Sequence, residues 1–221
     1  MIEVHKTIKS QVYTEAINAE QNAKWTRNIA RSGGAVSSHH IITECPAIYE
    51  LYKELLPICQ EILSEPKLRL CPPFDQHSSA IYYYKRPGDG CKWHTDKCWY
   101  KGRRYTVLVG IENIGVKGHS SSLLEYILND THRHDPIMPG EIRLFNDQLL
   151  HMVHPLQKNE NRIVISFTYI TDETIAPYNR ICMEFKDNYG YFGIPTSWIT
   201  IATIVFVLIC ILLHYKKYIY K

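Results

Sequence analysis

One arrangement constrains the fold of this chain more than any other: a His-x-Asp pair in a strand-like segment, followed far along the chain by histidines in a second such segment. His94 and Asp96 are separated by one residue, so on an extended strand both side chains point to the same side. The later run LLHMVHPLQKNENRIVISF offers His151 and His154 as a third ligand. Two imidazoles and one carboxylate on one face of an octahedral ion suit non-haem Fe(II). A fold that uses these residues must therefore bring two distant strands together.

The order of these features resembles the iron(II)- and 2-oxoglutarate-dependent dioxygenases, and most closely their prolyl 4-hydroxylase-like branch. The resemblance covers roughly residues 79–170 and has four anchors in order, namely His94-Thr-Asp96, a strand-rich interval, His151-Met-Val-His-Pro155 and Arg162. An isolated His-x-Asp pair is commonly a solvated strand face, but Pro-Gly-Asp before it and the later anchors favour a metal site. The family pattern of ligand His, any residue, Val, any residue and Pro assigns the metal to His151. His154 lies an odd number of positions away, so it is expected on the opposite side of the strand, at the surface or beside the ligands.

The resemblance implies the cofactors and their contacts. Fe(II) held by His94, Asp96 and His151 would keep open positions for the cosubstrates 2-oxoglutarate and O₂, with ascorbate as reductant. The planar guanidinium of Arg162 would bind the distal carboxylate of 2-oxoglutarate, and its alternative is a strand-end residue with its charge in water. Tyr84 and Thr106 match positions at which relatives contact the cosubstrate, although both residue types are also ordinary packing on a strand.

The reaction implied by the resemblance is hydroxylation of a substrate, first a protein side chain such as proline, with release of succinate and CO₂. One alternative is a nucleic-acid demethylase on the same fold. Relatives of that type carry a second Arg six positions after the first, where this chain has Thr168, and the net charge of +3 does not indicate nucleic-acid binding. Ser120, Ser121 and Ser122 stand where relatives usually have a Gly-Gly-Glu-Thr-like run, which leaves the substrate class open. Another alternative is a non-catalytic, membrane-anchored binding module that retains the fold.

The rest of the pattern predicts a mostly β protein with α-helices. Residues 1–78 are predicted to be a helical support region, with helices over about residues 11–31 and 46–63. Residues 79–172 alternate between strand-like runs and Pro- or Gly-containing turns, which fits the family's double-stranded β-helix, or jelly-roll, core. A polar connector is expected over residues 173–193.

The C-terminal sequence predicts a membrane anchor. Residues 194–213 carry no charge, and about 20 such residues match the length of a helix that crosses a bilayer. A transmembrane helix is therefore expected over residues 194–214, with a basic tail over 215–221; the alternative is a buried core helix. The cysteines show no disulfide framework and the N-terminus no signal-peptide core, so we expect a single-pass, C-terminally anchored protein with a cytosolic catalytic domain. No feature indicates an oligomeric state.

Two further groups of residues could have functions of their own. His132 and His134, near Asp130 and Asp135, could form an accessory zinc site, although such a loop cluster is more often polar surface. The basic residues 101, 103 and 104 could shape a groove for an acidic or phosphate-bearing substrate, although a solvated basic loop is the commoner outcome.

Overall fold

A computed structural model of the chain describes residues 1–28, 30–185 and 203–211. The strands are β1 (Ile2–Val4), β2 (Lys24–Arg27), β3 (Arg31–Val36), β4 (Arg69–Leu70), β5 (Ser79–Tyr84), β6 (Gly90–His94), β7 (Arg104–Ile114), β8 (Leu124–Leu128), β9 (Thr131–Asp135), β10 (Ile142–Asn146), β11 (His151–Val153) and β12 (Asn161–Ile170). They form one antiparallel sheet in the order β1, β10, β7, β12, β5, β3, β6, β11, β8 and β9, with β2 paired to β3 and β4 paired to β12. The larger half of the sheet runs from β1 to β3 in this order, and the smaller half from β6 to β9. Residues of both halves line one central cavity, around which the sheet curves.

The two longest strands, β7 and β12, lie at the centre of the larger half of the sheet. They pair from Asn161 opposite Ile114 to Ile170 opposite Arg104, with one register shift between Ile163 and Val164. Nearly continuous apolar sequence is expected for strands covered on both faces, and both strands are buried over almost their whole length. A Cβ on Gly110 in β7 would lie 2.1 Å from the Met138 carbonyl oxygen, so this glycine is required by a close backbone approach.

Three helices pack against one face of the larger half: α1 (Ser10–Asn18), α2 (Ser38–Glu44) and α3 (Pro46–Leu63). Another helix, α4 (Pro177–Phe185), contributes to a separate apolar cluster. Apolar residues of α1 and α3 form one core cluster with residues of β5, β7, β10 and β12. The Glu15 carboxylate of α1 accepts hydrogen bonds from the first backbone N–H groups of α3, which otherwise have no partner within their helix. A curved, mostly β core with supporting helices is thus confirmed, and it is consistent with the jelly-roll prediction.

The N-terminal region is less helical than its sequence pattern predicts. The helix expected over residues 11–31 ends at Asn18, and a short 3₁₀ turn, Ala19–Asn22, leads into β2. The next strand, β3, lies inside the sheet between β5 and β6. Its glycines allow this close packing, because a Cβ on Gly33 would lie only 2.8 Å from the Tyr83 carbonyl oxygen of the neighbouring strand. The Ser-Gly-Gly run is therefore a tightly packed strand and not only the break after a helix.

The described part of the C-terminal region differs from the prediction in one respect. The expected polar connector, residues 173–193, contains α4, and Met183 of this helix is buried in a cluster with Trp99 and Tyr100. Within the described residues, no helix has both the length and the apolar character needed to cross a membrane. Residues 203–211 are helical and exposed. Most of the predicted span, residues 194–214, and the whole basic tail lie outside the described residues, so the anchor stays a prediction.

Candidate metal centre

Three of the predicted site residues meet at the junction of β6 and β11. His94, the last residue of β6, lies directly opposite His151, the first residue of β11, and their ring centroids are 4.2 Å apart. Asp96 follows His94 by two residues, and one ligand atom from each of the three side chains lies within 4.8 Å of the other two. The pairing of two strands distant in sequence therefore creates the cluster.

Both imidazoles are held in the orientation that metal binding requires. The Nδ1 of His94 lies 2.7 Å from the Lys92 carbonyl oxygen, and the Nδ1 of His151 lies 2.9 Å from the Leu149 carbonyl oxygen. A carbonyl oxygen only accepts, so each Nδ1 must carry the proton, and each Nε2 then has a free lone pair. Such fixing of the tautomer through the other ring nitrogen is typical of metal-ligating histidines.

The third ligand, Asp96, is kept ionised by its surroundings. Burial raises its pKa, but the positive charge of Arg104, together with the nearby His151 and a hydrogen bond from Thr106, acts in the other direction, and the pKa of Asp96 is lowered to about 2. The Thr106 hydroxyl donates to Asp96 Oδ2 over 2.5 Å. The other carboxylate oxygen of Asp96, Oδ1, lies 3.9 Å from His94 Nε2 and is the oxygen that faces the imidazoles. The carboxylate is thus present as an anionic ligand over the whole physiological pH range.

Replacing Thr106 by valine is expected to weaken Fe(II) binding about 10- to 100-fold, the usual effect of losing a partner that orients a metal ligand. Without the hydroxyl, the pKa of Asp96 should rise. Protons would then compete with the metal at a higher pH, and the loss should be largest in acidic buffer. The measurement is the anaerobic Fe(II) affinity of each protein as a function of pH. Thr106→Ser retains the donor and should bind iron almost as the wild type does; a valine variant equal to the wild type would show that the hydrogen bond does not support the ligand.

A fully buried guanidinium faces the same cavity. Arg162 is 1 % exposed, lies opposite Tyr84 in the β12–β5 pairing, and has its guanidinium carbon 5.2 Å from the centre of the Tyr84 ring. Burial lowers its pKa, which the contact with Tyr84 only partly offsets. Within the described residues Arg162 forms no ion pair, and its Nε has no hydrogen-bond partner. A buried cation with an unused donor is costly unless an anion completes it, so the position fits an anionic ligand.

The cavity between the histidines and Arg162 has a volume of about 350 Å³, which is the size of a small-molecule site. Tyr84, Thr106 and Arg162, the three predicted cosubstrate contacts, all line it. Apolar walls come from both halves of the sheet and include Leu108, Leu124, Phe145, Val153 and Val164. The Thr106 hydroxyl is directed at Asp96, however, so its position supports orientation of a metal ligand more than direct contact with the cosubstrate.

Two further arginines belong to this cavity, although the sequence pattern did not assign them to it. Arg104 was expected in a solvated basic loop or in a surface groove. It instead donates to the Lys97 carbonyl oxygen and to the Thr168 hydroxyl, and its charge is the largest of the causes that lower the Asp96 pKa. Arg104 and Thr106 are two apart on one strand, and this spacing could have indicated that they share a face. Arg31, in the unpredicted strand β3, stacks over the Tyr82 ring at 4.2 Å.

The other candidate ligand, His154, lies away from this cavity. His151 pairs with Tyr126 and lines the cavity, whereas the Nε2 of His154 lies 2.7 Å from a Glu125 carboxylate oxygen and does not line it. The odd spacing of the two histidines along the strand accounts for this separation. The structure therefore places His151, and not His154, beside His94 and Asp96.

Comparisons by sequence yield no relative: no protein-family model matches the chain, and no curated protein matches it. Comparison by structure does. The fold is similar to that of a prolyl hydroxylase from Trichoplax adhaerens in complex with a peptide fragment of the hypoxia inducible factor oxygen degradation domain, with 16% identity, a TM-score of 0.62 and coverage of 82% of this chain and 86% of that one. It is also similar to a Pseudomonas putida prolyl-4-hydroxylase, with 14% identity, a TM-score of 0.53 and coverage of 75% and 89%.

A third similar structure is the epimerase SnoN, in complex with Fe³⁺, alpha ketoglutarate and nogalamycin RO. It is 11% identical, has a TM-score of 0.59, and the match covers 76% of this chain and 78% of that one. At these identities the comparisons show the fold alone. The fold is thus one that is found in prolyl hydroxylases and in an epimerase whose structure contains Fe³⁺ and alpha ketoglutarate.

Proposed function

We propose that this chain is an Fe(II)- and 2-oxoglutarate-dependent dioxygenase that hydroxylates a protein side chain, with proline as the first candidate. The observation that carries the proposal is one cavity with a preformed His, Asp, His cluster and a fully buried, incompletely bonded arginine. Either feature alone would also be compatible with a purely structural role. Together, in one cavity, they would suit a divalent metal held by the cluster and an acidic cosubstrate whose carboxylate pairs with Arg162.

The residues of the cavity divide the binding between them. The Nε2 atoms of His94 and His151 and a carboxylate oxygen of Asp96 would hold Fe(II), while Arg162 and the Tyr84 beside it would hold the distal carboxylate of 2-oxoglutarate. When bound, these groups supply the oxidation: 2-oxoglutarate, O₂ and the substrate C–H bond become succinate, CO₂ and the hydroxylated product. The protein orients them, and its apolar walls keep bulk water away.

A peptide substrate is supported by the surroundings of the cavity and by one structural neighbour. Trp93, which is 40% exposed, and Trp99, whose ring centre lies 3.8 Å from the Lys97 Nζ, line the cavity. Aromatic side chains suit the rigid ring of proline. The Trichoplax prolyl hydroxylase was captured with a peptide in place. The alternative of nucleic-acid demethylation is less favoured, because Thr168 stands where a second arginine would be needed and is bonded to Arg104 and to the His77 carbonyl oxygen.

The proposal is tested by incubating the full chain with Fe(II), ascorbate and 2-oxoglutarate and by measuring succinate release. Proline-rich peptide pools should increase the release, and mass spectrometry should find a gain of one oxygen on the peptide. Omission of iron is the control for non-enzymatic decay of 2-oxoglutarate. A protein that binds Fe(II) and 2-oxoglutarate but forms no succinate with any peptide or nucleic-acid pool would instead be a binding module.

We also propose that residues 194–214 anchor the protein in a membrane, on the strength of their charge-free sequence. Deletion of residues 194–221 is then expected to leave a soluble domain that releases succinate at close to the rate of the full chain. The described part of this segment, residues 203–211, is exposed and contributes nothing to the core clusters. Fractionation of cells that express each form, together with the succinate assay, is the measurement; aggregation of the truncated form would favour a buried C-terminal helix.

A further inference from the structure

A second cluster of metal-ligating side chains lies away from the cavity. It comprises Glu125 on β8, His132 and His134 on β9, and His154 just after β11. The Glu125 carboxylate contacts two of the imidazoles, with Oε1 2.6 Å from His132 Nδ1 and Oε2 2.7 Å from His154 Nε2. The rings of His134 and His154 are 5.6 Å apart. Ligand atoms of Glu125, His134 and His154 all lie within 4.8 Å of one another. The spacing of its ligand atoms thus falls within the same limit as that of the first cluster.

Strand register explains why the cluster forms on the outer face of this half of the sheet. Glu125 pairs with His134 across the β8–β9 hairpin and with Met152 on β11. His154 is two residues beyond Met152, so it shares the face of Glu125, and His132 is two residues before His134 on that face. Leu124, His151 and Val153 alternate with these residues and line the cavity. One stretch of three strands therefore presents ligands to both of its faces.

Glu125 is unusual for a residue on an outer face. Its side chain is 11% exposed, and the hydrogen bond with His132 is the main cause that lowers its pKa, with His154 and His134 adding to it against the effect of burial. The Glu125 carboxylate is thus largely withdrawn from water and lies beside three imidazoles. Among the residues that the structure describes, it forms no ion pair with a lysine or an arginine, so it is an anionic ligand with nitrogen donors around it. The Asp130 and Asp135 carboxylates, which the sequence suggested as partners, are not part of it; Asp135 pairs with Arg143 instead.

We propose that Glu125, His134 and His154 form a second, structural metal site that binds Zn²⁺ and fastens the β8–β9 hairpin to β11. Two imidazoles and one carboxylate are suitable zinc ligands, whereas Mg²⁺ and Ca²⁺ prefer oxygen alone. Tetrahedral zinc places its ligand atoms about 3.3–3.5 Å apart. The ligand atoms of the three residues already lie within 4.8 Å of one another, so small side-chain rotations would bring them to the distances that zinc requires. His132 then supports the carboxylate from outside through Oε1, and water completes the coordination.

The experiment uses the full chain with His94→Ala, which removes one ligand of the first centre and leaves the proposed site intact. Titration with Co²⁺ should give one bound equivalent with the intense visible bands of four-coordinate cobalt, and Zn²⁺ should displace it and raise Tm by roughly 5–10 °C at a hundredfold excess over Kd. Adding His134→Gln or His154→Gln should abolish the bands and the shift in Tm. His132→Ala should keep the bands while weakening the affinity about 10- to 100-fold.

Two controls make the result specific. His39→Ala removes an exposed imidazole on α2 and should change neither the bands nor the affinity, which controls for the loss of a surface histidine outside the cluster. Circular dichroism of each glutamine variant without metal should match that of its parent. Should either glutamine variant unfold, Glu125→Gln in the same background tests the same loss. Retention of the cobalt bands in folded glutamine variants, or the absence of any bound equivalent in the His94→Ala protein, would overturn the proposal and leave a hydrogen-bonded cluster without a metal.

Discussion

Replacing any one of His94, Asp96 and His151 by alanine is expected to abolish iron-dependent succinate release. Each residue supplies one of three ligands. The two ligands that remain after a replacement do not complete the three-residue facial arrangement that this kind of iron site needs. Asp96→Ala should have the most severe effect on metal affinity, because it also leaves the positive charge of Arg104 without its nearby carboxylate. The measurements are Fe(II) affinity under anaerobic conditions and succinate release by the full chain.

The matched control for these variants is His154→Ala. This histidine is only three residues from His151 but lies with Glu125 on the outer face, so most of the succinate release should remain. The comparison separates loss of a ligand from a general effect of removing an imidazole near β11. Loss of activity in His154→Ala, with retention in His151→Ala, would reverse the assignment of the third ligand.

Arg162→Lys is expected to reduce the affinity for 2-oxoglutarate about 30- to 1,000-fold while Fe(II) binding changes little. Lysine keeps the charge but cannot donate two parallel hydrogen bonds to a carboxylate, and a lost charge-assisted bond to a buried anion costs about 2–4 kcal/mol. The Nε of Arg162 that now lacks a partner is the kind of donor that such a carboxylate would satisfy. Titration of 2-oxoglutarate in the presence of Mn(II), which prevents turnover, measures the effect directly.

Arg31→Lys is the matched control, because Arg31 is also buried and lines the same cavity. Its guanidinium already donates to the Gly34 carbonyl oxygen and stacks on Tyr82, so its replacement should leave the affinity for 2-oxoglutarate nearly unchanged. Two other arginines already have acidic partners. Arg143 forms ion pairs with Asp135 and Glu141, and Arg104 is attracted by the Asp96 carboxylate. Equal affinities in the wild type and Arg162→Lys would place the carboxylate elsewhere in the cavity.

Much of the core could be predicted because its signals are local. The helix predicted over residues 46–63 is confirmed as α3, and most of its apolar face is buried, although Ile62 is 38% exposed. The long apolar runs became β7 and β12. Two strands were not predicted. The glycines of β3 have no side chains that could give an alternating pattern, and the four exposed polar residues of β9 give no alternating apolar signal.

By itself the sequence determined which side chains share a face of one strand. The spacing of His94 and Asp96, the odd separation of His151 and His154, and a charge within the apolar strand β12 are properties of a single extended segment. Only the tertiary structure decided which strands became neighbours. The pairing of β6 with β11 brought the ligands together, that of β5 with β12 placed Tyr84 beside Arg162, and that of β8 with β9 and β11 assembled the histidines around Glu125. These contacts depend on hydrogen bonding between strands far apart in sequence, and no local pattern encodes that choice.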